Sequence, residues 1–524
     1  MPNTPSESSS VPAGKQIFAC KSIDRLIAES EDPSVRLKKN LGPWTLTSLG
    51  VGAIIGSGIF ILTGTAAAGE HFEAGSLLHA QVLDLIINFF QHGNVSGALI
   101  HGRPPAGPAI ALSFVLVAVA CSFAGLCYAE LASMIPIAGS AYTYSYAILG
   151  EIFAWIIGWD LILEYAVSNV AVAVGFSGYL KAQLATFGIF LPERWSSCVW
   201  EGGHLTGAIF NLPAFLVVFG LTVLLLFGVR ESARTNNFMV LVKIGAIVTF
   251  LVVGGMLIHP ENWHPFAPSG FAGVVTGGSI IFFTYIGFDS VSTAAEEAQN
   301  PQRDIPFGII ASLVICAVLY VSVALVLLGI MKYTTFASGL AAEAPVAYAL
   351  KQLGTHPFFQ SVIIIGAMTG MLSSLLVFQY GQARIWFAMS RDGLLPKLFA
   401  AVHPRFKTPH WSTWIAGLAV GLPAGLVDIG DAADLSNIGT LFAFVLVSLG
   451  VIFLRRKQPN RRRGFRVPFV PWFPLFSVVL CGGLMTGLTV ITWIRFFVWL
   501  AVGLIIYVAY SRRHSEFAPA KISG

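Results

Sequence analysis

The segment Gly52-Ala-Ile-Ile-Gly56-Ser57-Gly58-Ile-Phe60 places three glycines and a serine inside an apolar run that is otherwise long enough to cross a bilayer. Glycine weakens a helix, and lipid offers no partners for backbone groups that a weakened helix leaves unpaired. We therefore predict a break in a membrane-spanning helix at this point, with the opened turn facing a cavity or a bound solute.

The composition of the whole chain is that of a polytopic membrane protein. Hydrophobic residues make up 55%, charged residues only 11%, and the mean hydropathy is +0.75, which exceeds the values of soluble globular chains. Runs of about 20 apolar residues, the length needed to cross a bilayer, predict about twelve spans. They lie near 43–68, 107–134, 143–180, 208–228, 235–258, 271–296, 305–330, 357–386, 411–427, 433–454, 469–491 and 494–511.

The distribution of lysine and arginine supports an even number of spans. If the chain starts inside, 24 of the 31 basic residues fall in cytoplasmic segments, six fall outside, and Lys243 lies within a span. An error of one span would invert every later loop and destroy this asymmetry. We predict a multi-pass protein of the cell membrane with both termini in the cytoplasm, so the net charge of +5 reflects topology and not nucleic-acid binding.

The predicted organisation has four parts. These are a cytoplasmic tail (1–40), a core of ten spans (41–454), the last two spans with a preceding basic loop (455–511), and a second cytoplasmic tail (512–524). The basic loop is explained by topology, and binding of anionic lipid headgroups is the alternative.

The core carries an external insertion at 70–106, whose apolar centre, about 14 residues long, is too short to cross a membrane. We predict an amphipathic helix on the outer face at this place.

No pattern in the chain predicts a metal site, a cofactor or a catalytic centre. Histidines 71, 79, 92 and 101 have spacings that match no usual ligand arrangement, and the six cysteines show no CxxC pair. No nucleotide-binding loop or nucleophile motif is present, so a gradient and not ATP is the expected source of energy. We predict that the chain is not an enzyme.

A second interruption lies in the sixth predicted span. The segment from Gly277 to Ser290 carries glycines and the ionisable Asp289 at mid-membrane depth. Close packing of small residues explains one such cluster, but two interruptions five spans apart indicate inverted repeats around a central solute site.

Five motifs, in order along the chain, resemble those of the amino acid-polyamine-organocation superfamily. They are Gly52–Phe60, Cys127–Tyr142, Gly287–Asp289, Glu296–Pro306 and Arg384–Pro396. Within the superfamily, the chain is most similar to bacterial members of the cationic amino acid transporter family. The resemblance implies an all-α membrane protein with the LeuT-like arrangement of two inverted five-helix repeats, in which helices 1 and 6 are broken. Residues 70–106 depart from the family pattern, where a short loop leads to span two.

The resemblance implies an amino acid as the solute, and the broken helix in span one supplies a place for its carboxylate. Helix ends expose N–H groups at one side of a break and carbonyl groups at the other. The turn Gly56-Ser57-Gly58 would bind the carboxylate through backbone N–H groups and the Ser57 hydroxyl.

The amino group of the solute would bind at the opposite helix ends. By the same resemblance, the carbonyl oxygens of Ile54, Phe283 and Ile286 would receive the ammonium. The Phe283 ring would close the site from one side as a gate, and ordinary core packing is its alternative role.

Four ionisable residues lie within spans, where each is costly unless it is paired or hydrated. Asp160 and Glu164 are four residues apart and share one helical face. Glu164 resembles a family position near the substrate and would contact an amine, whereas a structural role is the simpler account of Asp160. Asp289 has three possible roles: it would cap a helix, form a hydrogen bond to a gating residue, or carry a proton. Ser168 is predicted, like Asp289, to be a gating or structural group near the site.

Lys243 is the basic residue within a span, about nine residues from Arg234 and therefore roughly 13 Å deeper along a helix. A span-five lysine resembling this one occupies, in proton-coupled family members, the place of the cation that sodium-coupled relatives bind. Because burial disfavours a charged amine, a lysine there could bind and release a proton as access to the site alternates. The carbonyl groups of the break in span one are its expected partners.

The sequence thus predicts a secondary transporter that imports an L-amino acid together with a proton, by alternating access. The solute is either cationic, such as arginine or lysine, or small and neutral, such as alanine. An amino acid exchanger is the alternative mechanism, and a channel or a nutrient sensor is a more distant alternative. The expected partners are the amino acid and the lipid bilayer, while protein partners are unknown.

Overall fold

The computed structural model describes residues 16–24, 39, 41–69, 77–93, 102–135, 140–201, 204–227, 233–337, 339–404 and 408–517. The predicted tails are therefore covered only in part. His71, His101 and residues 136–139 of the second family motif lie outside these ranges.

The described chain is almost entirely helical. Its α-helices are α1 (Pro43–Ile54), α2 (Ser57–Ala68), α3 (Val82–His92), α4 (Ile110–Met134), α5 (Ser140–Ile148), α6 (Glu151–Thr186), α7 (Leu212–Leu226), α8 (Ala233–Gly255), α9 (Gly270–Ile281), α10 (Ser290–Thr293), α11 (Pro301–Ile330), α12 (Leu340–Glu343), α13 (Pro345–Gln352), α14 (Pro357–Arg391), α15 (His410–Ala424), α16 (Ile429–Lys457), α17 (Trp472–Thr486), α18 (Val490–Ile506) and α19 (Arg512–His514). Two strands of two residues each, β1 (Trp200–Glu201) and β2 (His204–Leu205), pair antiparallel in the loop between α6 and α7.

The helices confirm a polytopic membrane protein. Within the described ranges, eight helical segments are long and apolar enough to cross a membrane, and the bent pair α1 and α2 makes a ninth. Helices α7, α15 and α17, of 15 residues each, lie on the three remaining predicted spans. The total of twelve stays a prediction.

The broken segments lie at the centre of the bundle. In the apolar windows of α6 and of Gly270–Ser292, 83% of the residues are buried, whereas the value for Val490–His514 is 22%. Helix α2 is equally enclosed, since every residue in it except Thr65 is buried. The broken spans are therefore surrounded by protein, and the last span lies at the periphery of the bundle. This placement satisfies the requirement that irregular backbone in a membrane be shielded from lipid.

The third span begins later than the sequence indicated. The apolar run 143–180 predicted one continuous span, but a separate helix, α5, ends at Ile148 and α6 begins at Glu151. Gly150 lies between them with φ of +104°, a conformation that favours glycine. The predicted start at residue 143 is therefore wrong, because hydropathy does not register this turn.

The external insertion contains the predicted amphipathic helix, α3. Its Phe89 and Phe90 are exposed, the latter at 82%. The chain just before α3 is fixed to the ends of two spans, since Gln81 Nε2 donates to Gly487 O at 2.9 Å and Thr276 Oγ1 donates to Gln81 Oε1 at 2.9 Å. The insertion is thus bonded to the transporter core.

On the opposite face of the molecule, the basic loop is attached to the buried carboxylate of Glu130. Arg455 Nε lies 3.0 Å from Glu130 Oε1, Arg463 Nε lies 3.1 Å from the same oxygen, and Val467 N donates to Oε2 at 2.7 Å. Part of the basic cluster therefore forms structural contacts, in addition to any role in topology.

We predict that Glu130→Ala lowers the free energy of unfolding by about 3 kcal/mol, because it leaves a buried guanidinium and a buried N–H group without their acceptor. Thermal unfolding in detergent measures the change. The control is Glu193→Ala, an exposed glutamate in a loop, for which we expect a change below about 0.5 kcal/mol. Equal unfolding temperatures for the two variants would contradict the prediction.

Candidate solute-binding site

The break in the first span lies at the predicted glycines. Helix α1 ends at Ile54, α2 begins at Ser57, and the two axes are bent by 46°. Gly56 is the N-cap residue of α2, with φ of −121° and ψ of −142°, which are not helical values. The last carbonyl groups of α1 and the first N–H groups of α2 therefore lack partners within their own helices.

The sixth span is interrupted at the same depth of the bundle, as the sequence predicted. Helix α9 gives way to a 3-10 turn at Phe282–Tyr285, and α10 begins only at Ser290. Between them Gly287 has φ of +115°, which side chains other than glycine rarely adopt.

The two interruptions contact each other directly. A Cβ atom added to Gly287 would lie 3.1 Å from the backbone carbonyl of Ala53, and one added to Gly58 would lie 3.0 Å from the Cα atom of Thr284. Glycine at both positions allows the backbones of the two broken spans to touch. The exposed helix ends of both spans consequently face one shared region.

The predicted carboxylate site is formed by the first turn of α2. Ser57 is fully buried, and in the described part of the chain its Oγ atom has no hydrogen-bond partner. Ser374 of α14 lies beside the turn, with its Oγ 2.9 Å from the position of a Cβ atom on Gly56. Buried polar groups normally have partners, so these groups are suited to an anionic ligand, and their role stays a prediction.

Two of the three carbonyl groups predicted to bind the ammonium already accept a hydrogen bond. Ile54 O accepts from the Tyr320 hydroxyl at 3.0 Å, and Phe283 O accepts from Ile286 N at 3.3 Å within the turn. A carbonyl oxygen has two lone pairs, so each can accept a second bond from a solute. The Phe283 side chain is buried, with 6% exposed.

Tyr320 links the two interruptions, and sequence reasoning missed it. Its hydroxyl lies 3.0 Å from Ile54 O and 2.9 Å from Thr284 O, so one fully buried side chain of α11 touches a backbone carbonyl in each broken span. The ring packs against Phe114 and Tyr285. A single tyrosine in an apolar span gave no signal that separates it from a packing residue.

Lys243 makes the contacts expected from the sequence. Its Nζ atom donates to Gly52 O at 2.6 Å and to Ile55 O at 3.0 Å, and the side chain is fully buried. Both acceptors belong to the end of α1. The amine of span five thus binds the same interruption that faces the solute region, while its part in proton coupling stays a prediction.

Asp160 and Glu164 project from α6 into the bundle interior. Glu164 is hydrogen-bonded to Thr440 of α16 and lies near both Asp160 and Asp289. Within the described ranges, the Asp160 carboxylate has no hydrogen-bond partner, although it approaches Gly439. Three carboxyl groups are therefore gathered beside the second break, more than the sequence alone indicated.

Asp289 occupies the predicted N-cap position, but its side chain does not cap the helix. It precedes α10, and its side chain makes no capping hydrogen bond, so that one of the three predicted roles is wrong. The Tyr165 hydroxyl is hydrogen-bonded to it. The cap is absent for two reasons. Helix α10 has only four residues, and the hydroxyl group of Tyr165 of α6 binds the carboxylate in place of the helix N–H groups.

Ser168 lies one turn beyond Glu164 and contacts the tenth span. Its Oγ atom is 2.7 Å from Ser436 Oγ of α16. The serine pair is fully buried and joins α6 to α16. This contact agrees with the structural role predicted for Ser168, and the gating role stays a prediction.

A cavity of about 250 Å³ leads toward the broken helices. It lies at the end of the molecule that the charge distribution assigns to the outside, and Ile61, Gly175 and Ile280 are among its lining residues. A Cβ atom on Gly175 would be 3.2 Å from Ser57 Cβ. The cavity thus stops one layer of side chains short of the predicted carboxylate site.

In the described chain, no group of three or more His, Cys, Asp or Glu side chains is arranged to hold a metal ion. The chemistry of the site is instead that of helix ends, hydroxyl groups, carboxylates and one amine. Two broken helices that meet inside a bundle of membrane spans, beside a cavity, define a multi-pass membrane transporter.

Comparison with known proteins identifies the family. The family profile described as amino acid permease matches residues 41–510. The chain belongs to the amino acid permease family, within the amino acid-polyamine-organocation superfamily.

Relatives that match this chain over almost its full length are named for different solutes. The chain is 44% identical to the branched-chain amino acid permease BcaP of Bacillus subtilis and 43% identical to the methylthioribose transporter of the same species, each over 95% of this chain and 98% of the relative. It is 33% identical to the vacuolar cationic amino acid transporter 4 of Arabidopsis thaliana, over 84% of this chain and 67% of the relative. The chain is therefore a transporter and not an enzyme, and its family supports amino acid transport.

We predict that Tyr320→Phe lowers amino acid uptake about tenfold, because the lost hydroxyl shares its one proton between a buried carbonyl oxygen in each interruption, and leaving such acceptors without their donor costs about 1 to 3 kcal/mol. Initial uptake rates at several solute concentrations measure the loss. Tyr179→Phe is the matched control, since its buried hydroxyl donates to Phe60 O at 2.8 Å in a regular turn of α2. An equal loss in the control would contradict a special role of the interruptions.

Proposed function

We propose that this chain imports an L-amino acid across the cell membrane together with a proton, by alternating access to a site between the two broken helices. The termini lie in the cytoplasm, as the asymmetry of 24 inside and six outside basic residues supports. The observation that carries the proposal is the contact of Lys243 Nζ with Gly52 O and Ile55 O.

The coupling follows from what a lysine can do at a helix end. A protonated amine donates up to three hydrogen bonds and neutralises the partial negative charge of the exposed carbonyl groups at the end of α1. Loss of the proton removes the charge and weakens these bonds. Because the same interruption continues into Gly56-Ser57-Gly58, the proton on Lys243 and the solute carboxylate act on one backbone segment.

The solute itself is proposed to be a branched-chain amino acid. The 44% identity to a branched-chain permease exceeds the 33% identity to a cationic amino acid transporter, and both relatives are named for amino acids. Transport of methylthioribose is a second candidate, favoured by the 43% identity to a transporter of that name. The predicted carboxylate site at Ser57 favours an amino acid as the solute. An amino acid carries a carboxylate, whereas methylthioribose is a sugar derivative without one.

We expect proteoliposomes containing the wild-type chain to take up labelled leucine faster when the gradient drives protons inward. Lys243→Ala should lose this acceleration while it still exchanges internal for external leucine, because exchange requires the solute site but no net proton movement. Lys351→Ala, an exposed lysine, is the control and should keep the acceleration.

Uptake that ignores the proton gradient, or that requires sodium, would refute proton coupling. If Lys243→Ala loses exchange as well as uptake, the variant Lys243→Met is tested in its place, because it keeps the apolar stem of the side chain. If uptake by Lys243→Met is still accelerated by the proton gradient, the lysine is not the proton carrier.

A competition panel tests the solute class. Leucine, isoleucine and valine should inhibit labelled leucine uptake at concentrations about tenfold lower than arginine, lysine or alanine, a difference of about 1.4 kcal/mol in binding. Methylthioribose should not compete. Stronger competition by arginine and lysine would favour a cationic solute bound at Glu164, and competition by methylthioribose would favour the second candidate.

A further inference from the structure

The loop between α16 and α17 divides its basic residues into two groups. Seven lysines and arginines lie between positions 455 and 466. Arg455 and Arg463 bind Glu130, and Arg461 Nη2 lies 2.7 Å from Asp24 Oδ1. Within the described ranges, the exposed arginines of this loop that form no ion pair are Arg456, Arg462 and Arg466. The second group can therefore bind an anion from outside the protein.

The loop presents its arginines in opposite directions. The Arg463 side chain is only 3% exposed, whereas Arg462 and Arg466 are exposed. The Arg463 guanidinium donates to Gln458 O and to Arg461 O, each at 2.9 Å. The inward side chain thus fixes the loop, and the outward arginines are held in place without using their own charges.

The positive charge of this surface exceeds the negative charge around it. No aspartate or glutamate occurs in the sequence between positions 434 and 516. Burial lowers the pKa of Arg463 from its usual value, and repulsion by Arg455 and Arg466 lowers it further. The contacts with Glu130 oppose this effect but do not cancel it. Like charges are therefore crowded in the loop, and an added anion would reduce their repulsion.

The outward arginines lie at the border between the apolar and the charged surface. Phe453 on α16 is 47% exposed, and Lys457 Nζ, one turn further along, lies 5.7 Å from the centre of its ring. At the other end of the loop, Phe469 and Trp472 are 73% and 64% exposed. Exposed aromatic rings of a membrane protein are typical of the level of the lipid headgroups. The arginines between these rings are consequently placed where lipid phosphates lie.

We propose that Arg456, Arg462 and Arg466 form a binding site for the headgroup of an anionic phospholipid in the cytoplasmic leaflet. A guanidinium forms two parallel hydrogen bonds to a phosphate, and the exposed rings of Phe469 and Trp472 would pack against the acyl chains. A zwitterionic headgroup fits less well, because its ammonium cancels the charge of its phosphate.

This site differs from the role of the same residues in topology. Basic residues set the orientation of a chain while it inserts into the membrane, whereas a lipid site acts in the folded protein. The assignment to the cytoplasmic leaflet rests on the proposed orientation, but the site itself depends neither on the solute nor on proton coupling.

The test measures how lipid stabilises the purified full-length chain. Thermal unfolding is followed in detergent while dioleoylphosphatidylglycerol is added. The readout is the half-saturating lipid fraction, at which half of the maximal rise in unfolding temperature is reached. For the wild type, we expect this fraction to be about tenfold lower than for dioleoylphosphatidylcholine, which has the same acyl chains but no net charge.

The variant Arg456→Gln/Arg462→Gln/Arg466→Gln should raise the half-saturating fraction of the anionic lipid at least about tenfold. Each cation near an anionic headgroup contributes about a factor of five to binding. The variant with lysine at all three positions keeps the charge and should stay within about threefold of the wild type. An unchanged fraction in the glutamine variant would overturn the proposed site.

The matched control is Arg391→Gln/Lys397→Gln/Arg513→Gln. It removes the same charge from exposed residues on the predicted cytoplasmic side that lie outside the loop. We expect the half-saturating fraction to change by less than about threefold. A loss equal to that of the loop variant would show that general charge, and not this loop, attracts the lipid, and would overturn the site.

Glycerol 3-phosphate distinguishes a lipid from a free phosphate, since it carries the headgroup charge without acyl chains. Stabilisation by this compound equal to that by the lipid would overturn the assignment to a phospholipid. If the glutamine variant does not fold, the wild type is measured at high salt in its place. Salt screens exposed charges, so the half-saturating fraction should then rise at least about tenfold, and a fraction that ignores salt would overturn the proposal.

Discussion

Backbone groups at an interrupted helix must find partners inside a membrane, because lipid provides none. The rest of this structure depends on that constraint. Two spans are broken where they face each other, and the glycines at positions 58 and 287 let their backbones touch. The second broken span, Gly270–Ser292, and α6 are the most buried of the described spans of this length, with 83% of their apolar windows buried. A region that would be unstable against lipid is thereby enclosed by protein.

The enclosing helices also supply donors to the opened turns. Lys243 and Tyr320 reach the end of α1 from two different spans, and Tyr320 also reaches the second interruption. Side chains that bind these carbonyl groups stabilise the break and sense changes in it. In the proposed mechanism, a solute that binds the same backbone segment and a proton that binds Lys243 would therefore be coupled through one short stretch of chain.

Family membership fixes the general activity, but it does not select the solute. Identity is nearly equal to a relative named for branched-chain amino acids and to one named for methylthioribose, so overall similarity does not distinguish between these solutes. The insertion at 70–106 adds a feature of another kind. It brings Arg103 into a buried ion pair at the outer end of α16, away from the groups that would contact a solute.

The sequence by itself determined the membrane class, the family and the two interruptions, because apolar length, basic asymmetry and clustered glycines are local properties of the chain. It also identified Lys243, since a charge within an apolar span is conspicuous. Only the tertiary structure decided that Tyr320 joins both breaks, that Tyr165 and not a helix end binds Asp289, and that Arg103 meets Asp434. Each of these contacts joins residues far apart in the sequence, so its existence depends on how the helices pack and not on any local pattern.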